Sequence, residues 1–327
     1  MNIVLFTPVY YSSPGTQMRV DLIRKSLQLS GFKTRLVTYG DSIIKRIYNL
    51  LGDKLLTKDV FWKLIGKKLA DRIVSYNPDA VIMFTDVCAS AIPFLAKRGI
   101  KVILSIEDLT PEYKEYPQIK ALKFYELLKS YSCEADLIIT PSFILEQRLK
   151  KLGIVANTVP IGLEIVLPPE EALKRGRLIL HAGQLDNIRK INLIYSVANN
   201  YKILVHDIGK FSSKLNHPNI IRYRFNSPER ALEVCKKASV GLVIEYRKAY
   251  TLSRIYYHIA LLQPIVGQGE GPWIDEANRL GISIYPISFL ENIFDTYEKF
   301  VSSLVNVREC LKIPDVHNKL TALLRKV

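Results

Sequence analysis

Apolar residues along this chain gather in short, Val- and Ile-rich runs separated by longer amphipathic stretches. In the first half the runs are "NIVLFTP", "KTRLVTY", "DAVIMF", "KVILSI" and "ADLIITPS". Stretches of helical periodicity lie between them, for example Arg19 to Leu29 and Tyr125 to Tyr131. Runs of this kind suit strands buried on both faces, and their alternation with helices predicts a parallel sheet covered on both sides. A second series, "RLILHAG", "KILVHD", "NIIRYRF", "VGLVIE", "PIVGQG" and "ISIYP", repeats the pattern further on. The intervening "PIGLEIVLPPEEALKRG" carries prolines and charges that fit an interdomain linker. The prediction is an α/β chain of two doubly wound, Rossmann-like domains. Such sheets bind ligands beyond the carboxyl ends of their strands, so two of them facing each other would define a cleft.

The 327 residues are enough for two domains, and 48% apolar with 24% charged content excludes a disordered chain. A formal net charge of +15 calls for an anionic partner: a phosphate-bearing small molecule, an anionic membrane surface or nucleic acid. Nucleic acid is set aside, because no aromatic-basic motif of the single-strand-binding or recognition-helix type is present. The four cysteines, Cys88, Cys133, Cys235 and Cys310, lie far apart and form no Cys-x-x-Cys pair, so a reducing compartment and no metal site are expected. No apolar run reaches the ~20 residues of a membrane span, and the amino terminus lacks a basic leader, so the expected location is the cytoplasm. Residues 42 to 75 intersperse Lys and Arg with Ile, Leu, Phe61 and Trp62 at helical spacing. That pattern fits either a core-packing helix with a solvated basic face or a basic amphipathic helix lying on the inner face of a membrane.

The order of pieces resembles a known family. "MNIVLFTPVYY" through "GTQMRVDLIRKSLQLSGFKTRLVT", then "GIKVILSIEDLTPE", "EADLIITPSFILEQRLKKLGI" and "VPIGLE" are similar to the amino-terminal half of GT-B glycosyltransferases, particularly family four. "LILHAGQLDNIRKINLIYSVA", "ALEVCKKASVGLVIEY" and "SRIYYHIALLQPIVGQGEGPWIDEANRLGISI" are similar to the carboxyl-terminal half. The resemblance implies an acceptor-side domain over 1–161, a linker over 162–176, a nucleotide-sugar-binding domain over 177–305, and a helix within 306–327 that packs back on the first domain. It implies transfer of a sugar from a nucleoside diphosphate sugar to a glycan, lipid-linked or other hydroxyl acceptor, without a metal or other cofactor.

The chemistry needs cations and backbone amides for the leaving diphosphate, and a carboxylate to take the acceptor proton. By resemblance, Gly183 begins the donor loop, with Gln184 where the family carries Arg, and Arg189 takes the place of the family Lys with Lys190 beside it. Ser253 and Arg254 stand at a helix start that some GT-B subgroups use for phosphate. Glycines 267 and 269 match a loop near the donor, and Gly15 and Thr16 match the first strand-to-helix turn. The family's paired glutamates fall on Ala249 and Tyr257 here, leaving Tyr257 as a donor-site candidate and Glu245 to bind ribose or sugar. Glu107 and Asp108 occupy the family's His-Asp position and are the candidate catalytic carboxylates, with Asp21 and Asp86 as rivals. Two further readings stay open: a catalytically silent GT-B binding or scaffold subunit, and a sugar-nucleotide epimerase.

Overall fold

The computed structural model describes residues 1–7, 14–38, 57–163, 167–224, 228–250 and 252–325. Twelve strands among these residues form two six-stranded sheets. The chain divides into two compact units, one of residues 1–162, 248–251 and 313–327, the other of residues 163–247 and 252–312.

The first unit holds β1 (Asn2–Thr7), β2 (Lys33–Thr38), β3 (Ala80–Phe84), β4 (Lys101–Ser105), β5 (Leu137–Thr140) and β6 (Asn157–Thr158), in the spatial order β2-β1-β3-β4-β5-β6 with every pairing parallel. Central β1 and β3 are buried nearly throughout, which is why they read as unbroken apolar runs instead of alternating ones. Five strands coincide with runs in the sequence. The two-residue β6 is too short to leave a hydrophobic signature.

Four long helices shape this unit: α1 (Pro14–Leu29), α2 (Asp59–Val74), α3 (Gln118–Ser132) and, at the end of the chain, α10 (Ile313–Leu324). In α2 the buried residues Phe61, Trp62, Ile65, Leu69 and Ile73 recur every three or four positions and form one apolar stripe. Trp62 packs edge-on to Phe124 and against Tyr131 of α3, and the Tyr131 hydroxyl donates to Asp59. Phe61 and Trp62 are therefore core residues, so the membrane-facing reading of these two aromatics does not hold. The remainder of the basic segment, residues 42–56, lies outside the described residues. On the other face of the sheet, α10 packs on α1, with Val316, Leu320 and Leu324 entering the cluster of Ile3, Leu5, Val20, Ile23 and Leu27.

The second unit holds β7 (Leu178–His181), β8 (Lys202–His206), β9 (Ile220–Tyr223), β10 (Val240–Glu245), β11 (Ile265–Gly269) and β12 (Ile284–Tyr285), ordered β12-β11-β10-β7-β8-β9 and again parallel. Strands β7 and β10 lie side by side at the centre. After β7 comes α5 (Ile188–Ala198), capped by Asn187, whose side chain accepts from the Arg189 N–H. After β10 comes α7 (Ser253–Ala260). Within the stretch expected as a linker, Leu167 and Ala172 are buried against Leu262, Val301 and Leu304, and buried Arg308 donates to the Leu167 carbonyl. No helix among the described residues is long and apolar enough to cross a membrane.

Candidate functional site

The carboxyl ends of β7 and β10 bring together the charged groups of the second unit. Glu245, the last residue of β10, is fully buried. Its Oε1 accepts from the backbone N–H groups of Tyr246 and Arg247 and from Arg247 Nε, at 3.1, 3.0 and 2.9 Å. Its Oε2 accepts from Arg247 Nη2 at 2.8 Å and Arg254 Nη2 at 2.5 Å, with Lys190 Nζ 3.7 Å away. Lys190 also pairs with Asp186 at 2.8 Å, and Arg247 Nη1 lies 3.6 Å from the same carboxylate. Three cations thus face two carboxylates, and the cluster carries a surplus positive charge.

Burial alone would raise the Glu245 carboxyl, but the Arg247 hydrogen bonds and the charges of Arg254, Lys190 and Arg247 hold it well below the usual carboxylate range. Burial pulls Lys190 and Arg254 down, and Glu245 opposes it in both. Arg254 keeps one unspent donor: its Nε is shielded from water and has no hydrogen-bond partner among the described residues. A buried guanidinium with an unmatched N–H beside a positively charged cluster is suited to an anionic ligand.

The loop after β7 is shaped around these groups. A Cβ on Gly183 would lie 2.2 Å from Arg254 Nη1 and 2.9 Å from the His181 ring, so only glycine leaves the guanidinium room. Lys190 Nζ reaches back to the Gln184 carbonyl at 3.4 Å. His181 is buried under the cluster, its Nδ1 3.0 Å from the Leu242 carbonyl, and burial together with the Arg254 charge pushes it down to about 3, so the ring is neutral.

Of the residues expected at the donor site, Gly183, Lys190, Glu245 and Arg254 meet here, and Ser253 sits in the first turn of α7 beside Arg254. Glu245 is not placed to grip ribose or sugar hydroxyls, because both its oxygens are occupied by Arg247, Arg254 and backbone N–H groups. It acts as their counterion. Arg189 points outward and lies over the Tyr246 ring, with Lys190 instead carrying the inward charge. Tyr257 packs with Leu180, Leu204, Tyr223 and Cys235, away from the charges, so it leaves the donor set. Gly267 and Gly269 belong to β11, not to a loop. A Cβ at either would run into the β10 carbonyls of Val243 and Glu245, at 2.5 and 1.9 Å, and this close approach of strands accounts for both glycines. Two members escaped the sequence reading, Asp186 and Arg247. The signal available for Arg247 was its place two residues beyond Glu245, just past the strand end.

The first unit gathers its own carboxylates beyond the carboxyl end of β4. Glu107 accepts from Ser105 Oγ at 2.6 Å and lies 3.8 Å from buried Arg19. Asp108 accepts from the Tyr250 N–H at 2.7 Å, and the Tyr250 hydroxyl donates to Glu112 at 2.5 Å. Glu112 also receives Tyr125 and Arg148, so it is a structural node and a residue the sequence reading missed. Asp86, a rival for the base, is buried and fully engaged by the N–H and hydroxyl of Thr110, which fixes the loop bearing Glu107 and Asp108. Burial raises Asp86 to about 6. Asp21 lies on the exposed side of α1, and Gly15 and Thr16 fall in the first turn of that helix.

No protein-family model matches the chain, and no curated protein matches it. Solved structures do. A UDP-forming α,α-trehalose-phosphate synthase from Burkholderia vietnamiensis is similar at 10% identity over 100% of both chains, with a TM-score of 0.65. The glycosyltransferase SnogD from Streptomyces nogalater is similar at 14% identity over 99% of each, with a TM-score of 0.58. The spinosyn rhamnosyltransferase SpnG, solved with thymidine diphosphate, is similar at 11% identity over 98% of this chain and 100% of that one, with a TM-score of 0.56. This chain has the GT-B glycosyltransferase fold. These neighbours of the GT-B chain share its architecture without singling out family four.

Proposed function

We propose that this GT-B chain is a glycosyltransferase that takes a nucleoside diphosphate sugar as donor. The observation that carries the reading is the group of Lys190, Arg247 and Arg254 about buried Glu245, at the strand ends where such sheets bind ligands. In the reaction an acceptor hydroxyl oxygen bonds to the anomeric carbon as the bond from that carbon to the diphosphate oxygen breaks. The nucleoside diphosphate leaves with the bonding pair, and Lys190, Arg247 and Arg254 stabilise the charge it gains. Cations fixed by ion pairs do this without reorganising during the step. The acceptor proton passes to a carboxylate, for which Asp108 and Glu107 are the candidates. The three cations do the work of a divalent ion, so transfer is expected to survive chelation.

The acceptor we propose is carried by an anionic membrane surface, as a lipid-linked sugar would be. Support comes from α2, which leaves Val60 and Leu64 exposed beside Lys63, Lys67 and Lys68, and from α3, which does the same with Ile119 and Leu122 beside Lys120 and Lys123. Large apolar side chains among lysines fit a headgroup boundary.

The test is thermal stabilisation by UDP-, GDP-, ADP- and TDP-sugars, followed by donor hydrolysis and transfer assays. A donor at 100 times its dissociation constant adds about 2.7 kcal/mol, a shift that Arg254→Ala should abolish. Stabilisation with neither hydrolysis nor transfer would support the silent scaffold instead, and interconversion of donor sugars would support the epimerase.

A further inference from the structure

The first unit contains a cavity of about 420 Å³ lined by Ser30, Phe32, His317, Asn318, Thr321, Ala322 and Arg325. It lies where the end of α1 meets α10. Ser30 and Phe32 immediately precede β2, so the cavity sits at the amino end of the sheet, opposite the carboxyl end that presents Glu107 and Asp108. Its size is in the range of small-molecule sites.

The lining has a definite chemistry. Among the described residues it offers one guanidinium, one imidazole, two hydroxyls and one amide, and no carboxylate. Ser30 Oγ lies 3.1 Å from Thr321 Oγ1, 3.4 Å from His317 Nε2 and 3.2 Å from the Ser26 carbonyl. This set ties the imidazole to both helices through Nε2. The other ring nitrogen, Nδ1, is shielded from water and has no hydrogen-bond partner among the described residues. With a proton on Nδ1 the ring presents an N–H that needs an acceptor. Buried polar atoms are ordinarily satisfied, so an unmatched one on a polar cavity wall points to a ligand atom. Arg325 supplies a planar fork of donors suited to phosphate, and Ser30, Thr321 and Asn318 add neutral donors around it. Phe32 and Ala322 offer an apolar wall to the carbon skeleton of a phosphate ester.

We propose that this cavity binds the phosphate group of a small phosphorylated molecule, separately from the donor site. Inorganic phosphate is the probe. Titration of the full-length protein, followed by the ring resonances of His317, should show saturable shifts. Arg325→Ala should weaken the response at least tenfold. His317→Gln should weaken binding measured by calorimetry, while uridine diphosphate still stabilises both variants as it does the unaltered protein. Phosphate also meets cations in the second unit, so the titration is repeated with Arg254→Ala; the His317 shifts should persist there unchanged. An unperturbed His317 ring up to ~10 mM phosphate would overturn the assignment, as would shifts that Arg325→Ala leaves intact. Loss of the shifts in Arg254→Ala would overturn it too, since the effect would then originate at the donor site.

Discussion

Replacing Glu245 by Gln tests the charge cluster most directly. The change keeps shape and volume but removes the negative charge that holds three cations, leaving only Asp186 against Lys190, Arg247 and Arg254. Breaking a buried ion pair from one side costs ~3–5 kcal/mol, and Gln retains one acceptor for an arginine, so the lower end, about 3 kcal/mol, applies. In a domain of this size that is a loss of roughly 6–12 °C in the melting temperature. The three cations then lack most of their counter-charge, which a bound anion can supply. Pyrophosphate at 100 times its dissociation constant contributes about 2.7 kcal/mol, nearly the whole loss, so it should restore the variant almost to the unaltered protein. The assay is urea denaturation with and without pyrophosphate, and Glu245→Gln/Arg254→Gln completes a double-mutant cycle. A variant within 0.5 kcal/mol of the unaltered protein, or one indifferent to pyrophosphate, would refute the counterion role.

Other outcomes follow from the same geometry. Gly183→Ala places a methyl on the Arg254 guanidinium and should weaken nucleoside diphosphate binding at least tenfold, measured by calorimetry, with a loss of about 1–3 kcal/mol in stability from overpacking. The two units should respond oppositely to acid. His181 and His258 are pushed down by burial to about 3 and about 4 from an ordinary value near 6.5, so the unfolded chain binds protons first and the second unit loses stability as pH falls below 6.5. Asp86, raised by burial to about 6, holds its proton longer when folded, so the first unit gains stability as pH falls through 6 toward 4. Segment-resolved hydrogen exchange at pH 7.5 and 5.5 reads both, and Asp86→Asn should erase the gain. Finally, the chain should bind vesicles containing anionic lipid and leave neutral ones alone, with Val60→Asp/Leu64→Asp and Lys67→Glu/Lys68→Glu each weakening sedimentation with the vesicles; equal binding to neutral vesicles would sink the surface reading.

Strands were legible in this sequence because parallel strands buried on both faces must be apolar almost throughout, as in "AVIMF" and "VGLVIE". Burial of Phe61 and Trp62 was not, because an amphipathic helix has the same periodicity whether its apolar stripe meets a sheet or a membrane. The tertiary partners, Phe124 and Tyr131, decide it, and they lie more than sixty residues away in the chain. At the site the sequence identified Gly183, Lys190, Glu245 and Arg254 as donor-site candidates, since strand ends and helix starts are visible in one dimension. It could not tell that Arg189 faces out while its neighbour faces in, because one residue along a helix is a turn of about 100°. Nor could it distinguish a glycine that admits a ligand from one that admits a neighbouring strand: Gly183 makes room for a guanidinium, whereas Gly269 makes room for a carbonyl.

The substituted carboxylate pair gains a physical meaning from this arrangement. A carboxylate from α7 reaching a ribose would have stood at position 257, but that side chain is committed to the packing around Cys235 and Tyr223. Of the two acids of the cluster, Glu245 is inside the protein and neutralised by arginines from its own strand end and from α7, and Asp186 is paired with Lys190. On the proposed reading, donor recognition therefore rests on charge attraction at the diphosphate more than on hydroxyl contacts from these positions. Charge attraction is screened by salt, whereas hydroxyl hydrogen bonds are not. Affinity for the bare nucleoside diphosphate should accordingly fall with rising ionic strength and barely distinguish it from the 2′-deoxy form; a salt-independent affinity that collapses without the 2′-hydroxyl would show that another carboxylate has taken the ribose.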